Sequence, residues 1–502
     1  MKRKTTGLVA LALTAAIALS ACGASAREPS ETASVKDESV PAEASESAAV
    51  QAEPMDASAS AETFSDAFSS RDLSGTWDAS SAVLIALNGD SISCDSSAVT
   101  VSGSSATITA AGTYRVTGTL ENGSLIADAG KEDKIQIVLD GASIHSDTFA
   151  AIYVKQADKV FLTLADGSEN ALSNGGTFET IDENNVDGAV FSKDDLTLNG
   201  NGKLVVTSPA KHGVVSKDDL VITGGTYEIT AGAHALSGKN GVGVADGALT
   251  LTAGKDGIHA ENDEDSAKGC VYLAGGTIAI TAGDDGVTAS GLLQMDGGSL
   301  DVTASEGMEG NYIRVNDGAI RIQASDDGIN AARKSGAGTP TVEINGGDIS
   351  VTVGAGDTDG IDANGNLIIT GGTISVNGNS AFDIDGTVSF TGGTVIINGQ
   401  RVDSIPNQMG GGRGGFGAAG RKGGGRPADG QGRPADAQTG ATPDMKPNRS
   451  RGTSGNADNP NGTQENGTQE GVMGRKGKDG KRQRNTETPS PAPSAPDNAA
   501  FI

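Results

Sequence analysis

An all-β solenoid, a parallel β-helix of roughly ten coils, is the architecture this 502-residue sequence predicts. A returning phrase, the alternation inside it and the composition all point there. The phrase recurs with small changes from about Gly202 to Gly399, as Val221-Ile222-Thr223-Gly224-Gly225-Thr226-Tyr227, Leu273-Ala274-Gly275-Gly276-Thr277-Ile278 and Ile369-Thr370-Gly371-Gly372-Thr373-Ile374. Its second glycine, or the equivalent, falls at Gly225, Gly247, Gly276, Gly298, Gly318, Gly347, Gly372 and Gly393. Steps such as Gly276 to Gly298 are too short for a domain and suit one turn of a solenoid.

Segments beside the glycines alternate apolar and polar residues, as in Thr277-Ile278-Ala279-Ile280-Thr281 and Ser299-Leu300-Asp301-Val302-Thr303. That period of two marks strands with one buried face. Tight antiparallel hairpins would set like residues on opposing strands, whereas recurrence once per repeat predicts parallel stacking with Ile, Val and Leu inside. Strands about 4.8 Å apart would then build a rod on the order of 50 Å long. Composition agrees: Gly contributes 74 residues, aromatics are 3% and there is one Trp, which suits small tight coils rather than a thick aromatic core. A net charge of −27 excludes nucleic acid as a main partner. The segment after Arg401 is nevertheless basic, with Arg413, Arg421, Lys422, Arg426, Arg475 and Lys476 among others, so the repeats are more acidic than the whole.

In chain order, residues 1–22 read as a lipoprotein signal. Lys2-Arg3-Lys4 opens it, an apolar run follows from Leu8 to Leu19, and Leu19-Ser20-Ala21-Cys22 resembles a lipobox, implying cleavage before Cys22 and lipidation of its thiol. The run is too short for a comfortable membrane span. Residues 23–70, rich in Glu, Ser, Ala and Pro, are expected to be a disordered acidic tether, 71–405 the solenoid, and 406–502 a disordered Gly/Arg/Pro/Asn-rich basic tail. Such a tail either solubilises or touches anionic wall polymers or lipid head groups. Cys94 and Cys270 lie in strand-like contexts with nearly two hundred residues of coils between them, which favours free thiols over a disulfide.

Chemistry concentrates in an acidic ladder. After each strand end comes an acid, a glycine and an aliphatic residue: Asp256-Gly257-Ile258, Asp285-Gly286-Val287, Glu306-Gly307-Met308, Asp327-Gly328-Ile329 and Asp359-Gly360-Ile361. Stacked in register, two such charges repel by about 3.5 kcal/mol at an effective dielectric of 20. They must splay into solvent, become protonated or share a cation. Calcium takes six to eight oxygens with loose geometry. Its candidate ligands are Asp256, Glu261, Asp263, Asp265, Asp284, Asp285, Asp326, Asp327, Asp357, Asp359 and Asp362. With four histidines in all and no Cys/His cluster in sequence, zinc is not suggested. The competing reading is that Asp-Gly forms turns by tolerating left-handed backbone. It accounts poorly for the doubled Asp284-Asp285 and Asp326-Asp327.

A second phrase repeats 24 residues apart, Ser192-Lys193-Asp194-Asp195-Leu196 and Ser216-Lys217-Asp218-Asp219-Leu220. Its lysines could take a proton from a uronate sugar if suitably tuned, or form a self-compensating surface network with the aspartates. Duplication favours the network, because a catalytic residue is normally unique.

Together with Ala151-Ile152-Tyr153-Val154-Lys155, Ala165-Asp166-Gly167-Ser168-Glu169-Asn170 and Gly254-Lys255-Asp256-Gly257-Ile258-His259, these phrases resemble a bacterial carbohydrate-binding domain family over roughly Asp72 to Gly399. The resemblance implies a secreted right-handed parallel β-helix, similar in shape to pectate lyases. It also implies bound calcium and plant-type polysaccharide, notably acidic pectic chains, without catalysis. The expectation is therefore a lipid-anchored protein on the outer face of a bacterial membrane. It would bind polysaccharide, polygalacturonate or cellulose, with Lys193, Lys217 and His259 as sugar contacts. A surface spacer or adhesin and a pectate-lyase-like lyase are the alternatives.

Overall fold

The computed structural model describes residues 64, 67–334, 338–356 and 358–406. The signal and Cys22, most of the tether, Asp357 and the tail from residue 407 lie outside the described residues. Those described form an all-β fold of 34 strands, with no helix among them.

Each coil gives a strand to three ladders, and every ladder joins residues one coil apart in parallel register. In the first, Val271 pairs with Leu293 and Leu273 with Met295. In the second, Ile278 pairs with Leu300 and Ile280 with Val302. In the third, Val287 pairs with Met308. The apolar member of each alternation points inward, so Ile278, Leu300, Val302, Val287 and Met308 are buried in one continuous core. At about 25 cal/mol per Å² of apolar surface, burying each such side chain is worth roughly 1.5–3 kcal/mol.

The second ladder contains eight whole strands, Glu169–Asn174, Lys203–Ser208, Thr277–Ala282, Ser299–Ala304, Ala319–Ala324, Asp348–Val353, Thr373–Asn377 and Thr394–Ile397. The later parts of Val83–Gly89, Gly112–Leu120, Lys134–Ser146, Asp219–Ala231 and Gly241–Ala253 add five, making thirteen layers among the described residues. This exceeds the roughly ten expected because the earliest coils lack the Gly-Gly phrase. All eight repeat glycines have φ between 81° and 126°, a left-handed corner that side chains disfavour.

Antiparallel pairing occurs at the ends. Val99–Ser102 pairs with Ser105–Ile108 near the first layers, and Thr394–Ile397 pairs with Gln400–Val402 at the last. The second hairpin turns on Asn398 and Gly399, with φ of 49° and 77°, as a two-residue primed turn requires. These hairpins occupy edges that would otherwise offer open backbone to another chain.

Packed structure begins slightly before the expected boundary at residue 71, because residues 67–78 cross the first ladder. Phe64 and Phe68 stack on Tyr272, with ring centroids 4.5 and 5.6 Å away. Buried Asp72 accepts from Thr197 Oγ1 at 2.5 Å and pairs with Lys159 Nζ at 2.8 Å. Cys94 and Cys270 are free thiols, as expected.

Candidate functional site

The third ladder brings the acidic residues into register. Asp285 pairs with Glu306, and Asp256, Asp327 and Asp359 hold the same place two residues before the paired aliphatics Ile258, Ile329 and Ile361. The row is knitted by backbone. The Asp285 N–H donates to Asp256 Oδ1 at 3.3 Å, and the Asp359 N–H to Asp327 Oδ1 at 2.7 Å. A second row lies three residues on, where His259, Thr288, Glu309, Asn330, Asp362 and Asp383 stack in sequence. The rows touch: Thr288 Oγ1 donates to Asp285 Oδ2 at 2.8 Å, and Asn330 Nδ2 to Glu306 Oε2 at 3.0 Å.

Crowding shapes the charges. Burial pushes the Asp285 carboxyl well above the usual range, helped by the charges of Asp256 and Glu309 and opposed by the Thr288 hydrogen bond. Burial, then Glu309, Asp327 and Asp326, raises Glu306 to about 7. Asp362 also rises to about 7, through burial and then Asp327, Asp359, Asp383 and Asp385. Lys334 reaches Glu309 at 2.5 Å and supplies one counter-charge. Of the three ways to relieve the ladder, protonation is thus available without a cation.

The residues present fit calcium on two counts. Carboxylate oxygens of Asp285, Glu306 and Glu309 lie within 4.8 Å of one another, an oxygen-only set. Asn330 Oδ1 and Asp359 Oδ1 are buried with no hydrogen-bond partner, an unsatisfied state costing about 1–3 kcal/mol each. Asp285, Glu306 and Glu309, with Asp327, Asp359 and Asp362 further along, would hold such an ion.

Several expected ligands are set apart. Asp284 and Asp326 are exposed in the bends between strands, before Asp285–Met295 and Ile329–Ala331, so the doubled aspartates place only one member of each pair in the row. Asp265 Oδ1 accepts the Ala267 N–H and closes a turn. Glu261 and Asp263 line a different cleft from the oxygen set. The turn-former reading of Asp-Gly also fails in this structure. Gly257, Gly286, Gly307, Gly328 and Gly360 are not in left-handed backbone, and a Cβ on any of them would come within 2.8 Å of a neighbouring coil's carbonyl oxygen. Those glycines are there for close approach.

Toward the earlier coils the same ladder carries nitrogen. His212 and His234 hold the place that Asp256 and Asp285 hold later, and His212, His234 and His259 stack with centroids 4.9 and 4.1 Å apart. Three of the four histidines thus converge, a cluster hidden in the linear sequence. Asp256 Oδ2 lies 2.6 Å from His259 Nδ1 and 3.1 Å from His234 Nδ1. Burial alone would raise Asp256, yet these two contacts outweigh it and hold the carboxylate below its usual range. Burial, then the charges of His234 and Lys217, pushes His212 down to about 3. The histidines face a cleft of about 370 Å³ that is also lined by Lys217, Lys239, Glu261, Asp263 and Glu264.

Lysines form a third row, whose last two members edge this cleft. Ser192 pairs with Val154 and with Ser216, and Ser216 with Gly238, so the next residues, Lys155, Lys193, Lys217 and Lys239, follow one another coil by coil. Lys193 and Lys217 are exposed. The self-compensating network is not formed within the repeated phrase. Lys217 Nζ lies 3.9 Å from Asp187, while Lys159 is the cation beside Asp72 and, at 4.0 Å, Asp195. A separate cleft of about 600 Å³ on the first ladder contains Asp195, Asp218 and Asp219 beside Lys159, Lys268 and Tyr272. Burial, then Asp195 and Asp218, raises Asp219 to about 6.

Comparison with known proteins gives the class. A family model described as carbohydrate-binding domain-containing protein matches residues 102–311 and 302–404, more than half of the chain, and the chain belongs to this family. A carbohydrate-binding domain-containing protein of Acetivibrio thermocellus is 36% identical over 150 residues, covering 29% of this chain and 52% of that protein. The chain therefore spans about half the length of that relative. The solved structure of a polysaccharide lyase-like protein from C. thermocellum, a gadolinium derivative, is similar at a TM-score of 0.45 and 34% identity, covering 48% of this chain and 96% of that one.

Proposed function

We propose that this protein is a cell-surface lipoprotein that binds an acidic, pectin-like polysaccharide along the third ladder of a right-handed parallel β-helix. The observation that carries this reading is the change of charge along one ladder, from the row Lys155, Lys193, Lys217 and Lys239 to the rows around Asp285, Glu306 and Asp362. A polyuronate would pair its carboxylates with the lysines over the early coils. Over the later coils calcium, held by the acidic rows, would supply the positive charge that lets two sets of carboxylates face each other. His259, at the edge of the cleft, stands between the two regions. Aromatic platforms for neutral sugars are scarce, with aromatics at 3% of the chain, which favours a charged ligand over cellulose.

Replacing Lys217 and Lys239 together by Glu is expected to weaken binding to polygalacturonate by about tenfold or more, with a stronger salt dependence in the parent than in the variant. Chelator should weaken what remains. Equal affinity of parent and variant in a pull-down or calorimetric titration would reject the lysine row as the site. Release of ultraviolet-absorbing unsaturated uronides in the same samples would point instead to a lyase.

The anchor is tested separately. Cys22→Ala is expected to release the protein from the membrane fraction without changing its polysaccharide binding. A variant that still fractionates with membranes would remove lipidation as the means of attachment.

A further inference from the structure

We infer that His234, Asp256 and His259 form a binding site for a first-row transition ion of the zinc(II) class, distinct from the oxygen-only calcium rows. Their ligand atoms, two imidazole nitrogens and one carboxylate oxygen, lie within 4.8 Å of one another. Zinc bonds to nitrogen and oxygen of about 2.0–2.2 Å put tetrahedral ligand atoms about 3.3 Å apart. The His234 Nδ1 to Asp256 Oδ2 separation of 3.1 Å matches that edge, and the His259 Nδ1 separation of 2.6 Å is a hydrogen bond that a metal would replace with a small spreading.

The geometry converges on a cation position. Nδ1 of both His234 and His259 faces one oxygen, Asp256 Oδ2, at 3.1 and 2.6 Å. A divalent ion would take the place of the proton each nitrogen shares with that oxygen, and nitrogen donors select a borderline transition metal over calcium.

The surroundings resemble an outer coordination shell. His259 Nε2 lies 3.4 Å from Glu261 Oε2, which orients the ring so that Nδ1 faces inward, the carboxylate–histidine–metal pattern of zinc sites. His212 stacks on the far side of His234 and is kept neutral by burial. Three protein ligands leave a fourth position facing the cleft. Lys217 and Lys239 line that cleft, so an anionic group, a carboxylate of a bound ligand, is the natural fourth partner.

The test uses the full-length chain without a polyhistidine tag, stripped of metal and returned to buffer with excess calcium. Titration with zinc chloride by calorimetry, and with cobalt(II) by visible absorption, should show one ion per chain and intense tetrahedral cobalt bands. His259→Gln and His234→Gln should each weaken zinc binding by about tenfold or more, while His145→Gln leaves it unchanged. His259 sits at the cleft edge, so if His234→Gln fails to fold, the His259 variant alone decides. No zinc uptake in the presence of calcium, or uptake that survives His259→Gln, would overturn the proposal. Because neither histidine belongs to the Asp285, Glu306 and Glu309 set and calcium is present in excess throughout, failure of the calcium reading would leave this result unaffected.

Discussion

Stripping divalent cations from the protein is expected to lower its melting temperature by several degrees at pH 8 and to change it little at pH 5. Glu306 and Asp362 are raised to about 7, and Asp285 is raised as well, each first by burial. A carboxyl whose folded value exceeds its unfolded one binds more protons folded than unfolded. Its stabilising contribution is complete below about pH 4 and is lost as the pH climbs through about 7. The metal-free protein should therefore lose stability steadily across that interval.

Calcium reverses the trend because it competes with those protons. An ion that binds only the folded form adds RT ln(1 + [L]/Kd), about 2.7 kcal/mol at a hundredfold excess over Kd. That gain should be large where the carboxyls are ionised and small where they hold protons. Asp256 behaves oppositely. Held below its usual range, it stabilises above about pH 4, and its contribution fades as the pH falls further. Scanning calorimetry with EDTA and with calcium, from pH 4 to 8, separates the two limbs. Glu306→Gln should flatten the metal-free slope and reduce the calcium gain. Melting curves that neither fall with pH in EDTA nor rise with calcium would mean that the acidic rows are not a cation site.

Much of this arrangement was legible because strands stacked in parallel register repeat the same structural demands from one layer to the next. The Gly-Gly spacing located the corners, and all eight glycines occupy left-handed backbone. The Asp-Gly-aliphatic phrase located the acidic row, since Ile258, Val287, Met308 and Ile329 stack in one ladder. The histidines escaped because they replace the acid in earlier turns. His212-Gly213-Val214 has the form of Asp256-Gly257-Ile258, whereas His234 is followed by Ala235. Extending the register from Ile258 through Leu236 to Val214 would have found both. The full lysine row escaped for a similar reason. Lys239 follows a serine-glycine pair rather than serine, so only two of its four members share a recognisable phrase. Asp284 and Asp326 misled because they occupy the bends just before the row, where the side chain turns to solvent, and the doubled phrase does not show which member turns in.

The largest loss of stability is expected where the acidic row meets its glycines, and Gly307→Ala is the sharpest case. Gly307 lies within Glu306–Val315 and has no left-handed backbone to explain it. A Cβ there would sit 2.4 Å from the carbonyl oxygen of Gly328 in the next coil and 2.4 Å from Ile322 Cγ2 in the core. A side-chain atom can rotate aside, but the carbonyl belongs to the backbone of the next coil, so the coils themselves must part. That should cost about 3 kcal/mol or more. Gly141 is the control, with φ of 70° and open space, nothing within 4 Å, where a Cβ would stand. Gly141→Ala should therefore cost only about 1–2 kcal/mol, from backbone strain alone. Urea unfolding compares the two, and equal losses would show that the coils have slack at the acidic row. The difference bears on binding too. Glu306 and its partners on adjoining coils can share one cation only while the coils stay in close contact, so parting them at Gly307 should weaken calcium binding even in protein that still folds.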